Sequence, residues 1–251
     1  MDSRRHYDAL RVARPRDRAR GPALELKRFN NAWKRAIILA HARGAEVLVD
    51  IGCGRGGDIF KWQAAGVRRV RGLDSSRAQV NEARRRARNA GVSDRFTFDV
   101  ACSLEGIEDA SADVVTAMFS LNYVFGDDGS ASDLLGGVAR VLRPGGRFVG
   151  IFTDGDRVLA TGPVANDTFA LRFLEDSTYS MYIEDTVMAG AGRTAPAEHI
   201  VLRDRLERVA AQHGLRPLPR TPPPNPCHAV GWYATAAALY DCFSFKLQTV
   251  D

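Results

Sequence analysis

The sequence has no long hydrophobic run and few cysteines, which argues against membrane proteins and disulfide-rich proteins. Among its 251 residues, no segment reaches the roughly 18 uninterrupted apolar residues that a membrane helix needs. The charged first residues are not followed by the apolar core of a signal peptide. The four cysteines form no CxxC pair, which argues against a disulfide framework and against structural zinc. We therefore expect a protein without membrane contact that works inside the cell.

Metal-ligand patterns are also missing from the sequence. The five histidines are scattered, without the short spacings that place two ligands on one metal ion. Only His199, which follows a glutamate, has an acidic neighbour that could matter for chemistry. We therefore expect no metal cofactor.

The formal net charge of +5 is unevenly distributed. Residues 1–20 carry seven arginines and three aspartates, so this stretch alone holds +4. We expect residues 1–23 to form a basic, disordered arm, which would either bind a polyanion or serve only as a solubilising end. A second cluster of arginines, at 84–88, lies on a predicted helix. These arginines would either be solvated or contact RNA.

Short apolar runs alternate with amphipathic stretches in residues 24–251, a pattern typical of βαβ units around a mostly parallel sheet. The predicted strands are 46–51, 70–74, 96–100, 113–120, 147–152 and a closing strand at 239–247. The predicted helices are 24–42, 57–65, 76–90 and 131–142. Residues 169–174 and 179–184 alternate like a hairpin, which predicts a small inserted lid at about 160–196 of a single α/β domain.

The strongest local signal is a strand that runs directly into a glycine-rich turn, DIGCGRGGD at residues 50–58. Bare backbone at the end of a strand lets a ligand approach closely. Asp74 ends the next strand, where a carboxylate can accept ribose hydroxyls. Asp50 and Asp58 would repel a pyrophosphate but attract a sulfonium and an ammonium. The pattern therefore favours S-adenosylmethionine over a dinucleotide.

Three segments together resemble a known family: FNNAWK at 29–34, DIGCGRGGD at 50–58 and FSLNY at 119–123. They are similar to the mRNA cap (guanine-N7) methyltransferases, and the similarity covers about residues 24–247. It is closest to the versions from large DNA viruses, through segments at 98–99, 153–156, 179–181 and 194–198. The resemblance implies a class I, Rossmann-like methyltransferase with a mostly parallel seven-stranded sheet and helices on both faces. Its implied cofactor is S-adenosyl-L-methionine.

The resemblance also implies the residues of the methyl-donor site. Lys34 would contact the methionyl carboxylate, and Ser120 would support the donor near its sulfonium or adenosine end. Gly52 and Asp58 would line the methionyl pocket, and Gly54 would also bind the cofactor. Asp74 would contact the ribose, and Asp99 would contact the adenine N6 edge.

The implied cap-binding residues lie further along the chain. Glu198 would accept hydrogen bonds from guanine N1 and N2, and Asn30 would face the cap phosphates. Tyr123 and Tyr240 match aromatic residues that lie against the guanine. Asn122 stands where the family has histidine, and asparagine lacks the ring face and reach of imidazole. Met118 is a second departure, since the family has glutamine there.

The implied reaction converts GpppN to m7GpppN. Guanine N7 carries a lone pair and no proton, so its attack on a sulfonium methyl needs no general base, only in-line positioning and a suitable field. The implied partners are the capped mRNA 5′ end and a capping-enzyme subunit or stimulatory protein, in the nucleus, cytoplasm, a viral factory or a virion. Two alternatives remain: a small-molecule methyltransferase of the same fold, and a non-catalytic cap- or RNA-binding subunit.

Overall fold

A computed structural model of the protein describes residues 3–9, 21, 23–190, 195–225 and 227–248. Its strands are β1 Val47–Ile51, β2 Arg69–Asp74, β3 Phe96–Val100, β4 Ala112–Met118, β5 Leu142–Thr153, β6 Val164–Ala165, β7 Phe169–Phe173, β8 Thr178–Ile183, β9 Ala197–His199, β10 Leu215–Pro217 and β11 Tyr240–Leu247. Its helices are α1 Ser3–Ala9, α2 Leu24–His41, α3 Ile59–Ala64, α4 Arg77–Asn89, α5 Leu121–Val124, α6 Asp128–Val141, α7 Gly155–Thr161, α8 Arg203–Gln212 and α9 Trp232–Ala238. None of these helices is long and apolar enough to cross a membrane.

The main sheet has seven strands in the order β10-β11-β5-β4-β1-β2-β3. Strands β1 to β5 pair in parallel, and β11 runs antiparallel to β5 and β10. The chain leaves β1 towards β2 on one side, whereas β4 lies on the other, so β1 ends at a topological switch point. Ligands of open α/β sheets bind at such a point. The predicted α/β class and mostly parallel sheet are confirmed.

Two hydrophobic clusters cover the two faces of this sheet. On one face α2 buries Trp33, Ile37 and Ile38, which recur at helical spacing. On the other face α6 buries Leu135 and Val138 in the same way. Because both faces are covered at the centre of the sheet, β1 and β4 are nearly continuous apolar runs. The sequence predicted the parallel strands and both helices within a few residues.

Strands β6 to β9 form a second, antiparallel sheet in the order β6-β7-β8-β9. We call this four-stranded unit, residues 164–199, the lid sheet. The predicted hairpin agrees with β7 and β8, and β9 adds a third strand to it just beyond the predicted end of the insert. Residues 191–194 of the insert lie outside the described residues.

Two segments differ from expectation. Strand β5 begins at Leu142, five residues before the predicted start at 147, and continues through Pro144. Its register against β4 is irregular between Ala112 and Val114. The expected disordered arm contains helix α1, which packs on α4 through contacts described below. Residues 10–20 and 22 of that arm lie outside the described residues.

Candidate active site

The glycine loop joins the end of β1 to the start of α3, and two of its glycines are required for different reasons. Gly52 has φ +72°, and a Cβ there would lie 2.3 Å from Cβ of Ser120. Gly54 has φ +51°, but a Cβ there would meet nothing within 4 Å. Gly52 therefore allows β1 to approach the end of β4, whereas Gly54 borders open space that a ligand can occupy.

Asp74 lies at the end of β2, directly against this loop. Its Oδ2 accepts a hydrogen bond from the Gly54 amide at 2.9 Å, and its Oδ1 accepts one from the Ser76 amide at 2.9 Å. Burial raises the pKa of Asp74, and the two amide donors oppose that shift. Each carboxylate oxygen keeps a second lone pair, so Asp74 can still accept a hydroxyl from a ribose.

Two lysines share the carboxylate of Asp58. Lys34 Nζ lies 2.7 Å from Oδ2, and Lys61 Nζ lies 2.8 Å from Oδ1. Lys61 also donates to Asn31 Oδ1 at 2.8 Å. Burial alone would raise the pKa of Asp58, but the two ammonium groups outweigh it and hold the pKa below its usual value. The result is a buried site with one more positive than negative charge, which suits the carboxylate of an amino acid.

Asp50 is a second buried carboxylate, on β1 just before the loop. Thr116 Oγ1 donates to its Oδ1 at 2.5 Å. Burial, followed by repulsion from Asp58, raises the pKa of Asp50 to about 7. A cationic ligand in the loop would favour the ionised form of this group.

Asn30 lies one helical turn before Lys34 on α2, and its Oδ1 is buried without a hydrogen-bond partner in the part of the chain that the structure describes. A buried amide oxygen without a donor is costly. This buried acceptor would be satisfied by a ligand that carries a hydrogen-bond donor, such as an ammonium or a hydroxyl group. The residues present therefore fit a donor of the S-adenosylmethionine type.

Phe119 joins the donor site to a second pocket. Its φ of +64° is unusual for a bulky residue, and such strain clusters at functional sites. The Lys34 ammonium lies 5.8 Å from the centre of its ring, and the Tyr240 ring meets it edge-on at 4.9 Å. The next residue, Ser120, donates its hydroxyl to the carbonyl of Ile51 at 2.5 Å. Ser120 thus holds the ends of β4 and β1 together beside the loop.

Glu198 forms the centre of the second pocket and is 3% exposed. Its Oε1 accepts the Tyr123 hydroxyl at 2.9 Å, and its Oε2 accepts the Tyr179 hydroxyl at 2.5 Å and lies 3.5 Å from Thr153 Oγ1. Burial raises the pKa of Glu198, and these hydrogen bonds oppose the shift. Burial, followed by the charge of Glu198, raises the pKa of Tyr240.

Asn122 differs from the expectation that it contacts guanine directly. Its Nδ2 donates to the carbonyls of Thr153 and His199 at 2.8 and 3.1 Å, and its Oδ1 accepts the Thr153 amide at 2.9 Å. The side chain is 2% exposed and is committed to the backbone of β5 and β9. It therefore positions the strand that carries Glu198.

Tyr7 was missed by the sequence analysis. Its hydroxyl lies 2.8 Å from that of Tyr123, and its carbonyl accepts Gln79 Nε2 at 2.8 Å. The adjacent Asp8 accepts the Ser76 hydroxyl at 2.6 Å. Helix α1 thus touches both the donor side and the Glu198 pocket, and the arginine-rich composition around it gave no signal of this.

Asp99 lies apart from these contacts, near the end of β3. Its carboxylate is 3.0 Å from Arg71 Nε and 3.6 Å from Arg84 Nη2, and it is half-exposed. The described residues contain no group of three or more potential metal ligands.

Comparison with known protein families identifies the family of this chain. The model of the mRNA (guanine-N(7))-methyltransferase domain matches residues 2–181. The chain belongs to this family. The cap methyltransferase resemblance of the glycine loop and its neighbours is thereby confirmed.

Several relatives carry the family name. The mRNA cap guanine-N(7) methyltransferase of Schizosaccharomyces pombe is 30% identical over 242 residues, which cover 84% of this chain and 65% of the relative. The Saccharomyces cerevisiae enzyme of the same name is 32% identical over 165 residues, which cover 61% of this chain and 38% of the relative. The chain therefore spans less than two thirds of the length of either relative.

Solved structures of methyltransferases share the fold. Geranyl diphosphate C-methyltransferase from Streptomyces coelicolor has a TM-score of 0.65 at 18% identity, covering 98% of this chain and 97% of that one. The PH0226 protein from Pyrococcus horikoshii has a TM-score of 0.65 at 18% identity, covering 88% and 91%. These similarities support the Rossmann-like fold of the cap methyltransferase family.

Proposed function

We propose that the chain transfers a methyl group from S-adenosylmethionine to N7 of the guanosine cap of mRNA, converting GpppN to m7GpppN. One observation carries the proposal: a buried carboxylate, Glu198, lies across a strained aromatic residue from a lysine-rich donor site. The Lys34 ammonium lies over the Phe119 ring, the Tyr240 ring meets that ring edge-on, and the charge of Glu198 raises the pKa of Tyr240. Two ligands bound in the two pockets would therefore meet near Phe119.

The Glu198 pocket suits a purine that becomes cationic. Each oxygen of Glu198 accepts one tyrosine hydroxyl, and Oε2 also accepts the long 3.5 Å hydrogen bond from Thr153 Oγ1. Oε1 keeps a free lone pair, and Oε2 gains one when the Thr153 contact is released, so the carboxylate can accept guanine N1–H and N2–H. The tyrosine hydrogen bonds favour its ionised form, which stabilises the positive charge that appears on guanine as N7 is methylated. We assign Tyr123 and Tyr240 to contacts with the base, Asn30 to the cap phosphates, and Asn122 to positioning.

The donor site suits the remaining groups of S-adenosylmethionine, which supplies a methyl group on a sulfonium when it is bound. We assign Lys34 to the methionyl carboxylate, with Asp58 and Asp50 providing negative charge for the ammonium and sulfonium. Asp74 would accept the ribose hydroxyls. The other residues assigned to this site are Gly52, Gly54, Ser120 and Asp99.

No residue is assigned as a general base, because N7 has no proton to lose. The chain instead contributes proximity and a fixed electrostatic field. Asn122 contributes indirectly, since its amide ties the end of β5 to β9 and so fixes Glu198 against Thr153.

The test is methyl transfer from labelled S-adenosylmethionine to GpppA and ApppA by the purified protein alone. We expect GpppA to be methylated and ApppA to remain unlabelled. Glu198→Gln keeps the size of the side chain but only one acceptor oxygen, so one tyrosine hydroxyl must turn to accept the new amide N–H. It should lower kcat/KM for GpppA about 100-fold, while the Kd of S-adenosylhomocysteine changes by less than about threefold.

Other outcomes identify the alternatives. Methylation of neither dinucleotide, with normal binding of S-adenosylhomocysteine, would favour a small-molecule methyltransferase. If the wild-type protein neither methylates a dinucleotide nor binds S-adenosylhomocysteine, a non-catalytic binding subunit would be favoured. An equal loss of methylation and donor affinity in Glu198→Gln would contradict the role of Glu198.

The partners we propose are the capped 5′ end of mRNA and a capping-enzyme subunit or stimulatory protein. The site of action would be the nucleus or cytoplasm, where capped transcripts occur. The relatives named above are fungal, so the likeness to large DNA viruses at residues 98–99 and 153–156, with a viral factory or virion as the location, stays a prediction that rests on sequence alone.

A further inference from the structure

Arginines are concentrated along one edge of the molecule. Residues 68–95 contain nine arginines and three acidic residues, a net charge of +6, whereas the whole chain carries +5. This segment forms β2, α4 and the approach to β3, and β2 and β3 lie at one end of the main sheet. We call its exposed arginines the arginine face: Arg68, Arg69, Arg77, Arg84, Arg85, Arg88 and Arg95.

Helix α4 presents its arginines as a stripe. Arg77, Arg84 and Arg88 recur at intervals of seven and four residues, which places them on one side of the helix. Gln79 and Ala83 are buried on the side that faces away from the stripe. At 1.5 Å per residue the stripe is about 16 Å long, enough to follow several nucleotides of a single strand.

The carboxylates in this region do not neutralise the arginines, because each is shared. Three carboxylates each contact two guanidinium groups: Glu82 with Arg85 and Arg86, Asp99 with Arg71 and Arg84, and Glu46 with Arg68 and Arg69. Each trio therefore keeps one positive charge. Arg77 and Arg88 have no ion-pair partner among the residues that the structure covers.

The arginine face begins close to the Glu198 pocket. Helix α1 bridges them: its Tyr7 hydroxyl contacts Tyr123 of the pocket, and its Asp8 accepts the hydroxyl of Ser76, the N-cap of α4. Arg77 is the first residue of α4 and contributes to the lowered pKa of Asp8. A strand leaving the pocket therefore reaches the stripe after about the length of one short helix.

We propose that the arginine face binds the phosphate backbone of the transcript downstream of the cap. This inference rests on the proposed function for the identity of the strand. Guanidinium groups match phosphate geometry. A protein partner would need apolar anchors, and none of the large hydrophobic side chains that the described residues expose lies within 68–95. Charge without apolar anchors favours a nucleic acid over a protein.

The test compares two triple variants with the same loss of charge. Arg77→Gln/Arg85→Gln/Arg88→Gln alters the face, and Arg172→Gln/Arg208→Gln/Arg216→Gln alters exposed arginines elsewhere. Binding of an uncapped, 5′-hydroxyl 20-nucleotide RNA is measured by fluorescence anisotropy at several salt concentrations. Methylation is measured on the GpppG dinucleotide and on a capped 20-nucleotide RNA.

We expect the face variant to bind the 20-nucleotide RNA at least about tenfold more weakly at low salt, with a log–log salt slope reduced by about 2 for three lost phosphate contacts. Its KM for capped RNA should rise by a similar factor, while kcat for GpppG stays unchanged. The control variant should behave like the wild-type protein.

Three results separate the possibilities. An equal loss of RNA affinity in the two triple variants would overturn the inference. Unchanged RNA affinity in the face variant would also overturn it, and would leave an acidic protein as the partner of this surface. A wild-type protein that methylates no capped substrate, while the face variant still loses RNA binding, would overturn the proposed function and support the RNA surface.

Discussion

Tyr179 and Glu198 are cross-strand partners in the lid sheet, and the Tyr179 hydroxyl donates to Oε2 of Glu198. The register of β8 against β9 therefore fixes the position of the carboxylate on which the proposed cap recognition depends. The lid sheet supplies both the carboxylate and one of the hydroxyl donors that oppose the rise in its pKa.

Removing that donor should change the pH dependence of activity. In Tyr179→Phe, Glu198 loses a hydrogen bond that lowers its pKa, so the pKa rises further above its usual value. A protonated Glu198 cannot serve as a full acceptor for guanine. We expect cap methylation to fall about tenfold, and the acid limb of kcat/KM to move to higher pH. Tyr233→Phe, which removes a hydroxyl bonded to the Glu184 carbonyl, is the control. An unmoved acid limb would count against this role of Tyr179.

Asp50 should make the protein less stable as the pH rises. Its pKa is about 7 in the folded state against 3.8 ordinarily, so the unfolded chain holds fewer protons between these values. Stability is unaffected below about pH 4, falls from there to pH 7, and is then constant. Urea unfolding at pH 5 and pH 8 should show that Asp50→Asn reduces the stability loss by about 2–3 kcal/mol. An identical loss in both proteins would show that Asp50 ionises normally.

Asp58 should be essential for holding two lysines in the interior. Asp58→Asn leaves the ammonium groups of Lys34 and Lys61 without their counter-charge, which costs about 3–5 kcal/mol of unfolding free energy at pH 7. Asp58 raises the pKa of Lys61, so the variant should have a lower Lys61 pKa than the wild type. Part of the lost stability should therefore return between pH 8 and 10 in chemical denaturation. Glu25→Gln, at an exposed ion pair, is the control and should change stability little.

The two loop glycines should separate folding from donor binding. In Gly52→Ala, the new Cβ meets Ser120 at 2.3 Å in a left-handed conformation, so the melting temperature should fall sharply. In Gly54→Ala, only the conformational cost of about 1 kcal/mol applies. That variant should remain folded but lose S-adenosylhomocysteine binding in calorimetry. Normal donor affinity in Gly54→Ala would mean that the ligand does not use the space beside Gly54.

Much of this fold could be predicted because local patterns and tertiary packing agree. Strands β1 and β4 lie in the middle of the sheet and are almost fully buried, and the glycine loop follows β1, so their apolar runs are easy to recognise in the sequence. The glycine loop and Asp74 were predicted as neighbours because both follow the ends of adjacent strands, and the Gly54 amide indeed donates to Asp74.

The remainder depends on contacts between distant residues. Helix α1 is held by the Tyr7 and Asp8 hydrogen bonds, whose partners lie more than 60 positions away, so its composition gave only the expectation of disorder. Asn122 looked like a ligand residue because of its position, and only the geometry places its amide on the backbone of β5 and β9. Strand β9 has three residues, too few for a period to be read.

Helix α1 has a consequence for how molecules enter and leave. This seven-residue helix borders both the donor site and the Glu198 pocket. Its Tyr7 contacts Gln79 through the carbonyl and Tyr123 through the hydroxyl. Deletion of the residues up to Ala9 would therefore expose the donor site and the Glu198 pocket together. In the proposed reaction, release of the demethylated donor and of the methylated RNA end would therefore both depend on this helix of about two turns.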